Sequence, residues 1–120
     1  MHTAAAAPNK AADVVGWAHD FLRLTWDEVG GMLGTTGRTV QRWRDHEMVP
    51  SRESEERLDA ADELRFWLRT VFAGDEAAAR EWLHTRLLDL RGKTPMHAIK
   101  AGQLAKISEF LATFHSGAFI

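Results

Sequence analysis

Residues 25–50 read Thr-Trp-Asp-Glu-Val-Gly-Gly-Met-Leu-Gly-Thr-Thr-Gly-Arg-Thr-Val-Gln-Arg-Trp-Arg-Asp-His-Glu-Met-Val-Pro. The stretch has the pattern of a helix-turn-helix: one capped helix stops at a glycine and a second capped helix starts just beyond it. Thr25 is placed to cap the first helix, and Asp27 and Glu28 complement the positive end of its dipole. Val29 and Leu33 make an inward stripe, and Gly30 on the same side lets the second helix approach closely. Gly34 stands just past the helix end, where a positive φ is cheap only for glycine. Thr36 caps the second helix, and Val40 and Trp43 form its inner stripe.

The outer face of the second helix is read from what remains. Over residues 36–44 it carries Arg38, Arg42 and Arg44 and no acid. Arginine suits guanine, glutamine suits adenine, and threonine suits phosphate or the thymine methyl. Thr36, Gly37, Arg38, Thr39, Gln41, Arg42 and Arg44 are therefore the candidate DNA-binding residues. Arg38 sits in the first turn, where side chains reach into the groove, whereas Arg44 is suited to a phosphate or to pairing with Asp45 or Glu47. Gly37 offers a base no side chain and serves a close backbone approach. A helical hairpin with a solvated face would share the spacing; the unbroken basic face favours DNA.

Outward from this motif the chain reads as helix nearly throughout. A first helix is expected over about 13–22, with Val14, Trp17, Ala18, Phe21 and Leu22 at helical spacing. Ser51 begins a long helix to about 72, acidic at first and then apolar on most sides at Leu64, Phe66, Trp67, Leu68, Val71 and Phe72. Such a helix is buried on more than one face and reads as a spine between lobes or subunits. Asp75 caps a helix over 76–84 that turns Trp82 and Leu83 inward. A loop follows over 85–93, with an apolar cluster at Leu87, Leu88 and Leu90. Thr94 and Pro95 open a short helix that stops at Gly102, and a last helix runs from about Gln103 to His115. The predicted class is all-α: a helix-turn-helix lobe over 13–73 behind a flexible leader at 1–12, then a small helical lobe over 74–120.

Composition narrows the function. The chain has 120 residues and a net charge of −2, so DNA contact must come from a local basic patch. Residues 51–74 hold six acids against four arginines, which confines the positive field to the 36–44 helix. With no cysteine there is neither a disulfide framework nor a thiolate metal site. The alanine-rich start lacks a basic flank and a long apolar run, so it is not read as a secretory signal, and the cytoplasm is the expected compartment. No window has the length and apolarity of a membrane span. Glu81 and His84 form a single Glu-x-x-His pair where a di-iron bundle needs two, so no metal or cofactor is expected. Ser54, Ser108 and Ser116 lie in no nucleophile motif, and the expectation is a non-enzyme.

Two resemblances converge on one family. Residues 24–50 resemble the Xre or lambda-repressor-like helix-turn-helix domains. Residues 74–120 resemble the toxin-binding domain of the Xre/MbcA/ParS antitoxins, through Ala-Arg-Glu-Trp-Leu-His-Thr at 79–85, Leu-Arg-Gly-Lys-Thr-Pro at 90–95, Ala101-Gly102 and the final apolar helix with its His-Ser-Gly-Ala-Phe-Ile ending. Within the first family, positions matching Arg38 and Arg42 contact bases. Gly37 and Trp26 stand where polar residues are usual, and Thr35 where an apolar one is. The resemblance implies an antitoxin that covers the active-site entrance of a RES-type, NAD-consuming toxin and represses its own operon. The implied toxin contacts are Lys93, Thr94, Pro95 and Met96 at the loop end and Phe119 and Ile120 in the tail. The partners are then the cognate toxin, operator DNA and a second copy, since such proteins dimerise to match half-sites about 34 Å apart. Two alternatives remain: a stand-alone repressor whose C-terminal lobe only dimerises, and an interaction adaptor that no longer binds DNA.

Overall fold

A computed structural model describes the backbone of residues 3–117, with side chains from Lys10 onward. Among these residues there are seven α-helices, α1 (Thr3–Asp20), α2 (Trp26–Met32), α3 (Gly37–Arg44), α4 (Arg52–Val71), α5 (Glu76–Leu83), α6 (Pro95–Lys100) and α7 (Leu104–His115), with one 3-10 turn at Leu88–Leu90. The all-α expectation holds. The helix predicted from about residue 13 begins instead at Thr3, so most of the segment read as a leader is helical. The alanine run there favours helix.

The chain forms two compact units that meet between Ala61 and Asp62, inside α4 rather than at Gly74 where the sequence places its punctuation. Gly74 is a turn, with φ 82°.

In the first unit α2 packs on α3, and α1 lies against both. The core is Val14, Val15, Ala18, Leu22, Leu24, Val29, Met32, Leu33, Val40 and Trp43, all buried. Local chemistry sets the helix ends. Thr25 and Glu28 form a capping box, the Glu28 N–H donating to Thr25 Oγ1 at 3.1 Å and the Thr25 N–H to Glu28 Oε1 at 2.9 Å. The Thr39 N–H donates to Thr36 Oγ1 at 3.1 Å, and the Ser54 N–H to Ser51 Oγ at 3.2 Å. Lys10 and Asp59 pair α1 with the first half of α4.

Two glycines set the α2–α3 approach. A Cβ on Gly30 would lie 2.7 Å from the Gly37 nitrogen and 2.8 Å from the Thr36 carbonyl oxygen. A Cβ on Gly37 would meet the Asp27 nitrogen at 2.9 Å. Both neighbours are backbone and cannot swing aside. Gly30→Ala is therefore expected to cost about 1–3 kcal/mol through overpacking, although alanine is the better helix former. A melting temperature equal to the parent's would show that the helices separate freely.

In the second unit α6 packs on α5 and α7. Leu64, Leu68, Ala79, Leu83, Met96, Ala98, Ile99, Leu104, Ile107 and Leu111 are buried. Aromatic contacts extend this core: Phe72 with Trp82 and Trp82 with Phe110, at centroid distances of 5.8 and 5.9 Å. Asp75 caps α5 and Thr94 caps α6, with Pro95 in its first turn. The apolar second half of α4 is not buried all round: Phe66 is 57% exposed.

Candidate nucleic-acid and partner interfaces

The residues predicted to read DNA divide by environment. Arg38 and Arg42 are exposed on α3, and neither makes a hydrogen bond or ion pair among the described residues. They are the free cations of this helix. Gln41 and Thr39 are half-buried, and Thr36 Oγ1, already the cap acceptor, also donates to Thr39 Oγ1 at 3.1 Å.

Gly37 is buried, and its missing side chain makes room for the start of α2. The approach brings the Asp27 carboxylate against the N-terminus of α3. That negative charge complements the helix dipole.

Arg44 is occupied. Its Nε donates to Asp45 Oδ1 at 2.9 Å and its Nη2 to Asp45 Oδ2 at 3.1 Å, a two-pronged pair. The hydrogen bond to Asp45 raises the guanidinium pKa above its usual value and lowers that of the carboxyl. The guanidinium also lies over the Trp26 ring, 4.9 Å from its centroid. Trp26 in turn stacks on His19 at 3.9 Å, and His19 Nδ1–H donates to the Leu24 carbonyl at 2.9 Å. Trp26 is thus half-buried in a stack that ties together the first three helices. The first unit as a whole holds seven Lys or Arg against ten Asp or Glu, a net −3.

The second predicted interface also divides. Pro95 and Met96 are buried, Met96 to 4% exposure, and belong to the core of the second unit. Their side chains offer no surface to a partner. The Thr94 hydroxyl accepts from the His97 N–H at 3.0 Å, which leaves Lys93 as the exposed member of the four. Phe119 and Ile120 lie outside the described residues.

The loop before α6 holds what the pattern did not reveal. The Leu87 N–H donates to the Lys93 carbonyl at 3.1 Å, closing a small loop over the 3-10 turn. Leu90 points in, Leu87 is half-buried, and Leu88 is 94% exposed. The expected apolar cluster is therefore split. Arg86, Arg91, Lys93 and His97 surround a surface cleft of about 310 Å³. No group of three or more metal-binding side chains occurs among the described residues.

Residues 67–117 match the family model of the antitoxin Xre/MbcA/ParS C-terminal toxin-binding domain. Over these residues the chain is similar to the toxin-binding domain of the Xre/MbcA/ParS antitoxins. The family match starts within α4 and covers the rest of the second unit up to Gly117. The mycobacterial cidal antitoxin MbcA of Mycobacterium tuberculosis is 28% identical to this chain over 112 residues, which is 93% of this chain and 97% of MbcA. The MbcA of Mycobacterium bovis matches to the same extent. The fold is similar to a chain in the crystal structure of the M. tuberculosis MbcT–MbcA toxin–antitoxin complex. There the TM-score is 0.63 at 25% identity, over 91% of this chain and 96% of that one. The chain is thus similar to MbcA across both units, not through the matched domain alone. No helix of the described residues is long and apolar enough to cross a membrane.

Proposed function

We propose that this antitoxin binds and blocks a cognate RES-type, NAD-consuming toxin through its second unit, and represses its own promoter through α3, acting in the cytoplasm as a homodimer. The observation that carries the first half is the full-length likeness to MbcA, whose crystallised partner is the toxin MbcT. On this reading Lys93 and the apolar tail residues Phe119 and Ile120 belong to the toxin contact. The second half rests on Arg38 and Arg42, two unpaired cations four residues apart on an exposed helix face. On this reading the protein works by occlusion rather than chemistry.

A second reading has one observation in its favour. A net charge of −3 on the first unit and the Asp27 carboxylate at the N-terminus of α3 both oppose phosphate. An antitoxin that blocks its toxin without binding DNA would tolerate both.

Co-expression tests the neutralising role. The product of the gene beside this one should arrest growth when expressed alone, and this chain should restore growth and co-purify with it. A neighbour that is harmless alone, or arrest that persists on co-expression, overturns the antitoxin assignment.

A further inference from the structure

We propose that the loop of residues 86–93 is the docking element of the second unit, with Leu88 as an apolar anchor and Arg86, Arg91 and Lys93 as a cationic rim that meets an acidic patch on the toxin surface. This rests on the neutralising role above and names the chemistry of its contact.

One exposed leucine means little by itself, since much of any protein surface is apolar. Here its setting is unusual. The loop is fastened by its own backbone: Leu87 N–H to Lys93 O at 3.1 Å, Gly92 N–H to Leu87 O at 2.9 Å, Arg91 N–H to Leu88 O at 2.9 Å and Lys93 N–H to Leu90 O at 3.0 Å. Leu90 is buried beneath it. Leu88 is thus held out on a closed frame, and a frame already ordered loses little freedom on binding.

The cations are as unusual. Arg86, Arg91, Lys93 and His97 line one cleft whose lining includes no carboxylate. None of the four side chains makes a hydrogen bond or ion pair among the described residues. Like charges set together without counterions repel one another, and the repulsion is relieved only by an anion from outside. Arg91 adds a backbone cost. It has φ 57°, the left-handed region that glycine enters freely and an arginine does not. The chain thus accepts strain to hold a guanidinium beside the apolar tip, and no group of its own uses it.

The combination fits protein rather than nucleic acid. An apolar anchor ringed by charged side chains is the anatomy of a protein contact. A surface tracking phosphates needs cations and stacking rings, and gains nothing from a leucine.

The test measures binding of the full chain to the neighbouring gene's product at low and high salt. Leu88→Asp should weaken binding at least about thirty-fold, the scale of a hot-spot anchor. Charge reversal at Arg86, Arg91 and Lys93 together should weaken it comparably and remove the loss of affinity that the parent shows as salt rises. Melting temperatures should match the parent, because all four side chains are exposed. Variants that bind within twofold of a binding parent overturn the docking element and leave the neutralising role standing. A parent that does not bind overturns both. Duplex DNA or RNA bound through the same three cations, and lost on their reversal, would replace the acidic protein surface with a phosphate backbone.

Discussion

Trp43→Ala is expected to cost about 3–5 kcal/mol, the range for deleting a buried large aromatic side chain. Trp43 is 2% exposed on the inner side of α3, where that helix meets α1 and α2. Its loss opens a cavity in the core of the first unit. The effect should reach beyond stability, because the same helix carries Arg38 and Arg42 on its outer face. Trp43→Phe is the informative partner. The indole Nε1 is buried without a hydrogen-bond acceptor, a group that costs about 1–3 kcal/mol when desolvated and unmet. Phenylalanine gives up some volume but removes that orphan donor. Its net cost should be less than half that of alanine, read from urea midpoints at equal m-values. Equal costs for the two variants would mean that the donor is satisfied and that only volume matters at this position.

Arg38→Ala combined with Arg42→Ala is expected to weaken binding to the protein's own promoter by about 2 kcal/mol or more, thirty-fold in affinity, if each guanidinium reads one base. Stability should be unchanged, because both side chains are exposed and unpaired. The parent's affinity should fall steeply with salt, and the slope should flatten in the variant if either arginine also touches a phosphate. Arg44→Ala should behave differently. It breaks the pair with Asp45 and the contact over Trp26, so it should lower stability slightly and affect promoter affinity less. A promoter shift that survives loss of Arg38 and Arg42 would remove α3 as the reading helix and favour an antitoxin that acts on its toxin alone.

The helix ends and the turn between α2 and α3 were legible in the sequence. Thr25, Thr36, Ser51, Asp75 and Thr94 each act within three residues of themselves, so a local pattern suffices to identify them. Gly30 and Gly34 were equally legible, one from its place on the inner stripe and one from the need for φ 74° after a helix. What escaped depended on neighbours distant in sequence. Gly37 was legible as the site of a close approach, but the residue that makes that approach, Asp27, belongs to the preceding helix. Pro95 ends a family signature and Met96 follows it, yet their burial comes from the packing of α6 against α5 and α7. Leu87, Leu88 and Leu90 share composition, and only the 3-10 turn decides which of them leaves the core. The junction at Ala61 was illegible for another reason: it falls inside a helix, with no glycine or proline to mark it.

That junction constrains how such a protein can be rebuilt. Leu58, Ala61, Leu64 and Leu68 are buried at helical spacing, a single stripe that passes through the boundary without a break. A residue inserted there would turn every later side chain of α4 by about 100° against the earlier ones and advance it about 1.5 Å. A graft between relatives therefore has to keep phase, splicing in whole helical turns, whereas one made at the obvious glycine after α4 would carry the stripe of one parent into the core of the other.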